Sequence, residues 1–174
     1  MNWPYAALAA VCFFWGTTYL GIRMALESFP PLVLLTTRFL LSGSLILGAA
    51  ALMGARLPRG RELWITAISG VLPLGVANGA LTFSETLIPS SLASLYITTS
   101  PFWLVGLEAM FGGEKLHVKT ALAMLVGFAG TMLLVAPEAM AAGVSAKSLQ
   151  GFLMLQVGNF AWAAGSVLFR RRSA

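Results

Sequence analysis

The chain has 174 residues, of which 58% are hydrophobic and only 10% charged, and aspartate is absent. That balance excludes a soluble globular domain and leaves a polytopic membrane protein. The net charge of +5 sits between apolar runs, so it reports membrane topology and gives no sign of nucleic-acid binding.

A bilayer core needs roughly 20 apolar residues per helix, and the stretches 5–22, 31–53, 63–83, 91–111, 120–136 and 151–169 qualify. They predict an all-α fold, a polytopic membrane helix bundle with six transmembrane helices. Long continuous apolar runs are unlike the short alternating segments of a β-barrel. The first run starts too early and extends too far for a cleaved signal peptide, and it lacks a basic leader. Cys12 is alone inside it and reads as packing. Trp15 and Tyr19 are four apart and share a face on which Gly16 gives no cover, a candidate floor for a cavity holding an apolar or cationic substrate. Trp3 and Trp64 lie at span ends, where interfacial belt residues are found.

The second span carries Arg38 about two turns below its outer edge. A guanidinium there must meet a carboxylate, carbonyls or water. Glu85 is the candidate partner on estimated depth; the competing reading is a structural ion pair with no part in substrate handling. Ser44 with Gly48 has the spacing of a close-packing face. In the third span Gly75, Asn78, Thr82 and Glu85 share one face. A buried amide without a partner is costly, so Asn78 either bonds a neighbouring helix or faces water. Glu85, near the outer end, is placed to snorkel to the interface.

The fourth span shows the clearest polar stripe: Ser91, Ser94, Thr98, Pro101, Val105 and Glu108 recur at gaps of three and four. Pro101 deprives the Ile97 carbonyl of its helical donor, which leaves that carbonyl available near mid-membrane. Stripe and carbonyl together suit a cavity wall; the alternative is hydroxyls bonded to their own backbone on a kinked helix. The fifth span, with Ala123, Gly127 and Gly130, reads as a packing helix. The longest loop, 137–150, then separates it from the sixth span.

Basic residues choose the orientation. Arg56, Arg59, Arg61, Lys115, Lys119, Arg170, Arg171 and Arg172 fall on one side, whereas the opposite loops hold Arg23 and Lys147. The positive-inside rule therefore puts both termini in the cytoplasm. Phe13, Trp15 and Arg23 recur in order as Phe160, Trp162 and Arg170. Five spans separate the starts of the two copies, so the second copy crosses the membrane in the opposite sense, as in inverted-repeat transporters. The domain division that follows is a five-helix repeat over 1–150 and the first helix of a second repeat over 151–174.

Trp15-Gly16-Thr17-Thr18-Tyr19, Glu27-Ser28-Phe29-Pro30-Pro31, Arg38-Phe39, Ser91-Leu92-Ala93-Ser94, Ser100-Pro101, Gly113-Glu114-Lys115-Leu116, Gly127 and Gly130 occur in this order along the chain. The ordered set resembles EamA-type permeases of the drug/metabolite transporter superfamily. The resemblance implies a bacterial inner-membrane exporter of small metabolites, amino acids or drugs, working by alternating access through a central cavity built from ten helices. Six helices would then be a half of the full transporter plus one, so the chain is a fragment or pairs with a second copy or another chain. A non-transporting membrane assembly subunit is the alternative. Trp15, Tyr19, Arg38, Asn78, Thr82, Glu85, Ser94, Thr98 and Pro101 are the substrate-cavity candidates. Small multidrug exporters that resemble one such repeat carry a glutamate in their first helix; this first span has no acid. The expected partners are the lipid bilayer, a small-molecule substrate and the missing half.

An intramembrane enzyme needs activated groups, and the inventory is thin: no aspartate, His117 in a loop, and Cys12 without a nearby base. His117 and Cys12 are too far apart for a ligand pair, and there is no glycine-rich phosphate loop. Neither catalysis nor a bound metal or cofactor is expected.

Overall fold

Prolines and glycines set the ends of the helices. A computed structural model of the chain describes residues 3–111, 117–142 and 145–173. Helix α1 (Trp3–Ala25) takes Pro4 in its first turn, where no amide donor is missed. Helix α2 (Pro31–Leu52) follows the extended Pro30, at φ −59 and ψ 145, and has Pro31 at its start. Its far end closes on Gly54, whose φ of +72 suits a residue without a Cβ. There the Gly54 amide donates to the Ala51 carbonyl at 3.0 Å and the Ala55 amide to Ala50 at 2.9 Å, the paired bonds of a Schellman cap.

The third span runs as α3 (Arg61–Gly70), a π-helical stretch (Val71–Ala77) and α4 (Asn78–Ser84). Pro73 lies inside the π stretch and has no amide to offer the preceding turn, which explains a wider local ladder. The fourth span divides into α5 (Ser90–Ile97) and α6 (Ser100–Met110), with Thr98 and Thr99 between them. Pro101 causes that break, but the Ile97 carbonyl does not stay free: the Ser100 hydroxyl donates to it at 2.6 Å.

Helix α7 (Val118–Ala142) continues through Pro137, and α8 (Ala146–Ser173) begins before the expected boundary at 150. Most of the expected 137–150 loop is therefore helical. Ser145 makes the early start possible, its hydroxyl accepting the Ser148 amide at 3.1 Å. The motif Gly113-Glu114-Lys115-Leu116 lies outside the described residues.

The architecture is that of an all-α polytopic membrane bundle, without strands among the described residues. Trp3–Ala25, Pro31–Leu52, Arg61–Ser84 and Ala146–Arg171 are each long and apolar enough to cross a membrane. Helix α8 is central, packing on the third span along its length and on both α5 and α6. Leu155, Asn159, Ala161, Ala163 and Val167 of α8 are buried, whereas α1 buries only Ile22 and α2 buries none of its residues. The apolar outer faces of α1 and α2 are the surfaces a bilayer would wet.

Glycines decide how close α8 comes. A Cβ at Gly151 would lie 2.9 Å from Ile88 Cγ2, one at Gly158 3.0 Å from Ala80 Cβ, and one at Gly165 2.6 Å from Pro73 Cδ. These positions recur every seven residues and form the close-packing face. A Cβ at Gly48, Gly127 or Gly130 would meet nothing within 4 Å. Close approach of the kind seen along α8 is thus not made at Gly48 or Gly130, although α7 does pack on the fourth span, with Phe128 edge to face on Phe102. Spacing permits close approach, but helix rotation decides which small residue meets a neighbour.

Candidate functional site

The first span, the second, the third, the α5–α6 break and α8 together surround a cavity of ≈ 630 Å³. That lies within the range of small-molecule sites, roughly 300–1,000 Å³. Trp15 and Tyr19 enter it from α1, Arg38 from α2, Asn78 from α4, and Ser94, Thr98 and Pro101 from the fourth span. The period of each helix brings these residues to one space, because each set shares a face of its own helix. Thr82 and Glu85 are buried and are not part of the lining. The lining face of the third span runs instead through Leu74, Ala77, Asn78 and Leu81.

The aromatic floor is ordered. Trp15 Nε1 donates to the Tyr19 hydroxyl at 3.2 Å. Trp15 also meets Trp162 edge to face at 5.5 Å between ring centroids, with planes at 79°. These two tryptophans are the matched members of the repeated Phe-Trp-Arg sets, and both line the cavity. Phe39 adds a further aromatic wall and carries the Arg38 guanidinium 5.4 Å above its ring.

A polar network closes the other wall at the α5–α6 break. Asn159 Nδ2 of α8 donates to the Tyr96 carbonyl at 3.0 Å and to Thr99 Oγ1 at 2.9 Å. Asn159 Oδ1 lies 2.8 Å from the Ser100 hydroxyl. Gln156 Oε1 accepts from Trp103 Nε1 at 2.9 Å and lies 3.0 Å from Thr99 Oγ1. Amides from α8 thereby replace the backbone partners the proline break removes. Ser94 and Thr98 bond their own helix, to the carbonyls of Ser91 at 2.7 Å and Leu95 at 2.6 Å, while still lining the cavity. Asn78 does likewise, donating to the Pro73 carbonyl at 2.9 Å; among the described residues its amide bonds no neighbouring helix.

The expected pairing of Arg38 with Glu85 does not form. Arg23 of α1 stands beside Glu85 instead, donating to its main-chain carbonyl. Nor does Glu85 snorkel: it is fully buried, and neither carboxylate oxygen has a hydrogen-bond partner among the described residues. Burial pushes its pKa up to about 7, with the Arg23 charge acting the other way. Estimated depth along a helix axis carries no information about azimuth, and azimuth separated Arg38 from Glu85. Glu108, at the end of the fourth-span stripe, pairs with Arg170.

Asn159, Gln156, Ser100, Phe39 and Trp162 were not among the site residues expected from sequence. Gln156 and Asn159 carry the same signal as Asn78, an amide inside an apolar span, and share a face at a spacing of three. Among the described residues no group of three or more His, Cys, Asp or Glu side chains is placed to hold a metal.

The sequence model of the EamA-like transporter family matches residues 2–136. The chain is similar to the uncharacterized inner membrane transporter YedA of Escherichia coli, 33% identical over 164 residues, covering 94% of this chain and 52% of the relative. It is similar to the uncharacterized transporter YdfC of Bacillus subtilis, 27% identical over 146 residues, covering 84% of this chain and 46% of that protein. A "probable terminal-alkyne amino-acid exporter" of Streptantibioticus cattleyicolor is 29% identical over 110 residues, covering 63% of this chain and 37% of that protein. The chain spans about half the length of the first two of these relatives. No solved structure matches it.

Proposed function

This chain belongs to the EamA-like transporter family, and from that premise we propose that it is half of a secondary transporter that exports small amphipathic metabolites, amino acids or drugs by alternating access. The observation that carries the proposal is the cavity of ≈ 630 Å³, with aromatic residues on one wall and an amide and hydroxyl network on the other. Such a lining serves a molecule with an apolar body and a polar head. The name of the Streptantibioticus relative, an amino-acid exporter, supports the same class. The work is binding and reorientation, without catalysis, metal or cofactor, and nucleic acid is no partner.

In this reading residues 1–150 are the first five-helix repeat and 151–174 contribute the first helix of an inverted second repeat. The bacterial inner membrane is the site, with both termini cytoplasmic; the basic loops and the inner-membrane relative support this. A second half, from the same polypeptide or from another chain, completes the cavity. The rival reading is an assembly subunit that does not transport.

Two measurements test this. The intact mass of the protein from its native membrane distinguishes a longer polypeptide from an 18.4 kDa chain that must oligomerise. Proteoliposomes of that native species, loaded with a mixture of amino acids, then report release by mass spectrometry. Selective release that is lost in Asn159→Leu supports export through this cavity. Release no faster than from empty liposomes, with the protein folded and in either orientation, would falsify it and favour the assembly subunit.

A further inference from the structure

Beyond the cavity, Glu85 lacks the partners its chemistry requires. It is fully buried, and both carboxylate oxygens are without hydrogen-bond donors among the described residues. The hydroxyls nearest in sequence are committed elsewhere: Thr82 donates to the Asn78 carbonyl at 2.8 Å, Ser84 to the Leu81 carbonyl at 2.8 Å and Thr86 to the Phe83 carbonyl at 2.7 Å. Arg23 supplies charge, but its hydrogen bond goes to the Glu85 main-chain oxygen. An ionised carboxylate in this position is desolvated without donors, and taking up a proton relieves that cost. Losing the proton restores a negative charge beside Arg23. The site therefore has two states of comparable standing, which is what a proton carrier needs.

Its connection to the cavity is short. The Glu85 amide donates to the Leu81 carbonyl at 3.0 Å, and Leu81 lines the cavity one turn away. Tyr19 also lines the cavity and packs on the same apolar cluster as Leu81. Its hydroxyl accepts from Trp15 in the aromatic floor. The charged and titratable groups on the surrounding elements are Tyr5, Cys12, Tyr19 and Arg23 of α1 with Glu27 in the turn after it, Arg38 of α2, Tyr96 of α5, and Lys147 with Arg170, Arg171 and Arg172 at the two ends of α8.

We propose that Glu85 is a proton-binding site, and that its protonation is linked through Tyr19 to the aromatic floor of the cavity, so that the proton is the coupling ion of this transporter half. The step is the simple one: the carboxylate takes a proton from water and becomes the neutral acid, and Arg23 is left without its counter-charge. This rests on the transport reading for its purpose, while the proton site and its link to Tyr19 do not depend on it.

The test uses the wild-type chain in lipid nanodiscs. Dicyclohexylcarbodiimide, which modifies carboxyl groups in apolar surroundings, is applied across a pH series, and peptide mass mapping reads the yield at each glutamate. Labelling of Glu85 should be high in acid and fall through a midpoint near neutrality. The emission of Trp15, taken as the difference between wild type and Trp15→Phe, should change with the same midpoint. In Tyr19→Phe the emission change should vanish while the labelling curve stays.

A Glu85 labelling midpoint in the ordinary carboxylate range, or no labelling at Glu85, overturns the proton site. A neutral midpoint with flat Trp15 emission overturns the link to the cavity. Glu85→Gln should freeze the emission across the series; should that variant not fold, the wild-type labelling curve still decides. Neither readout involves transport, so failure of the release assay and failure of this inference are separate results.

Discussion

Replacing Gly165 by alanine tests the central place of α8. The added Cβ would lie 2.6 Å from Pro73 Cδ, 3.1 Å from the Ser69 carbonyl oxygen and 3.2 Å from Leu72 Cβ. Carbon atoms prefer roughly 3.5–4.0 Å, so α8 and the π stretch must separate by on the order of 1 Å. The blocking atoms belong to a proline ring and the backbone, which have little freedom to yield. Overpacking of this kind costs about 1–3 kcal/mol, and the better helix propensity of alanine returns up to about 1 kcal/mol. With that gain in full the expected net is a loss of up to about 2 kcal/mol, which leaves Gly165→Ala about 1–3 kcal/mol below an uncrowded glycine-to-alanine change. Gly48→Ala in α2, where a Cβ meets nothing within 4 Å, should be neutral or stabilising by up to about 1 kcal/mol. Equilibrium unfolding in mixed dodecylsulfate micelles, followed by circular dichroism, measures both. Equal stability of the two variants, or a gain at Gly165, would mean that α8 does not lie against Pro73.

Three further outcomes are expected. Asn159→Leu removes the bonds to Tyr96 and Thr99 and should cost about 1–3 kcal/mol, toward the lower end because interhelical bonds in membranes average about 0.6 kcal/mol each; unchanged unfolding would show that the network is not formed. A double-mutant cycle of Trp15→Ala and Trp162→Ala should give a coupling of about 0.5–1.5 kcal/mol from the edge-to-face pair, whereas additivity within about 0.3 kcal/mol would separate the rings. Because the folded-state pKa of Glu85 is raised from 4.5 to about 7, the folded chain holds that proton more tightly than the unfolded one. Stability should fall as pH rises through that window and level off above it. Melting temperatures in detergent across the window check this, and Glu85→Gln should remove the slope.

The polar stripe of the fourth span was legible because helical period alone puts Ser94, Thr98 and Pro101 on one face. So was the break at Pro101, which follows from a missing amide. The fate of the freed Ile97 carbonyl was not, since it depends on the rotamer of Ser100. Asn159 was overlooked although its signal was the one that singled out Asn78. The approach of Arg23 to the Glu85 main-chain carbonyl was hidden for a different reason: it joins two helices, and no regularity within either helix encodes their relative rotation.

Membrane location and helix count followed from the sequence by itself, as did the face shared by Ser94, Thr98 and Pro101, because they depend on hydrophobicity and a fixed period of 3.6 residues. Family membership was legible in the ordered motifs as well. Only the tertiary structure decided that α8 occupies the centre, that Gly158 and Gly165 let it approach the third span and Gly151 the turn before α5, and that Arg23 rather than Arg38 stands beside Glu85. All six spans are apolar enough to face lipid, so composition cannot rank them by burial. That order comes from which side chains interlock at close range, a property of pairs of helices.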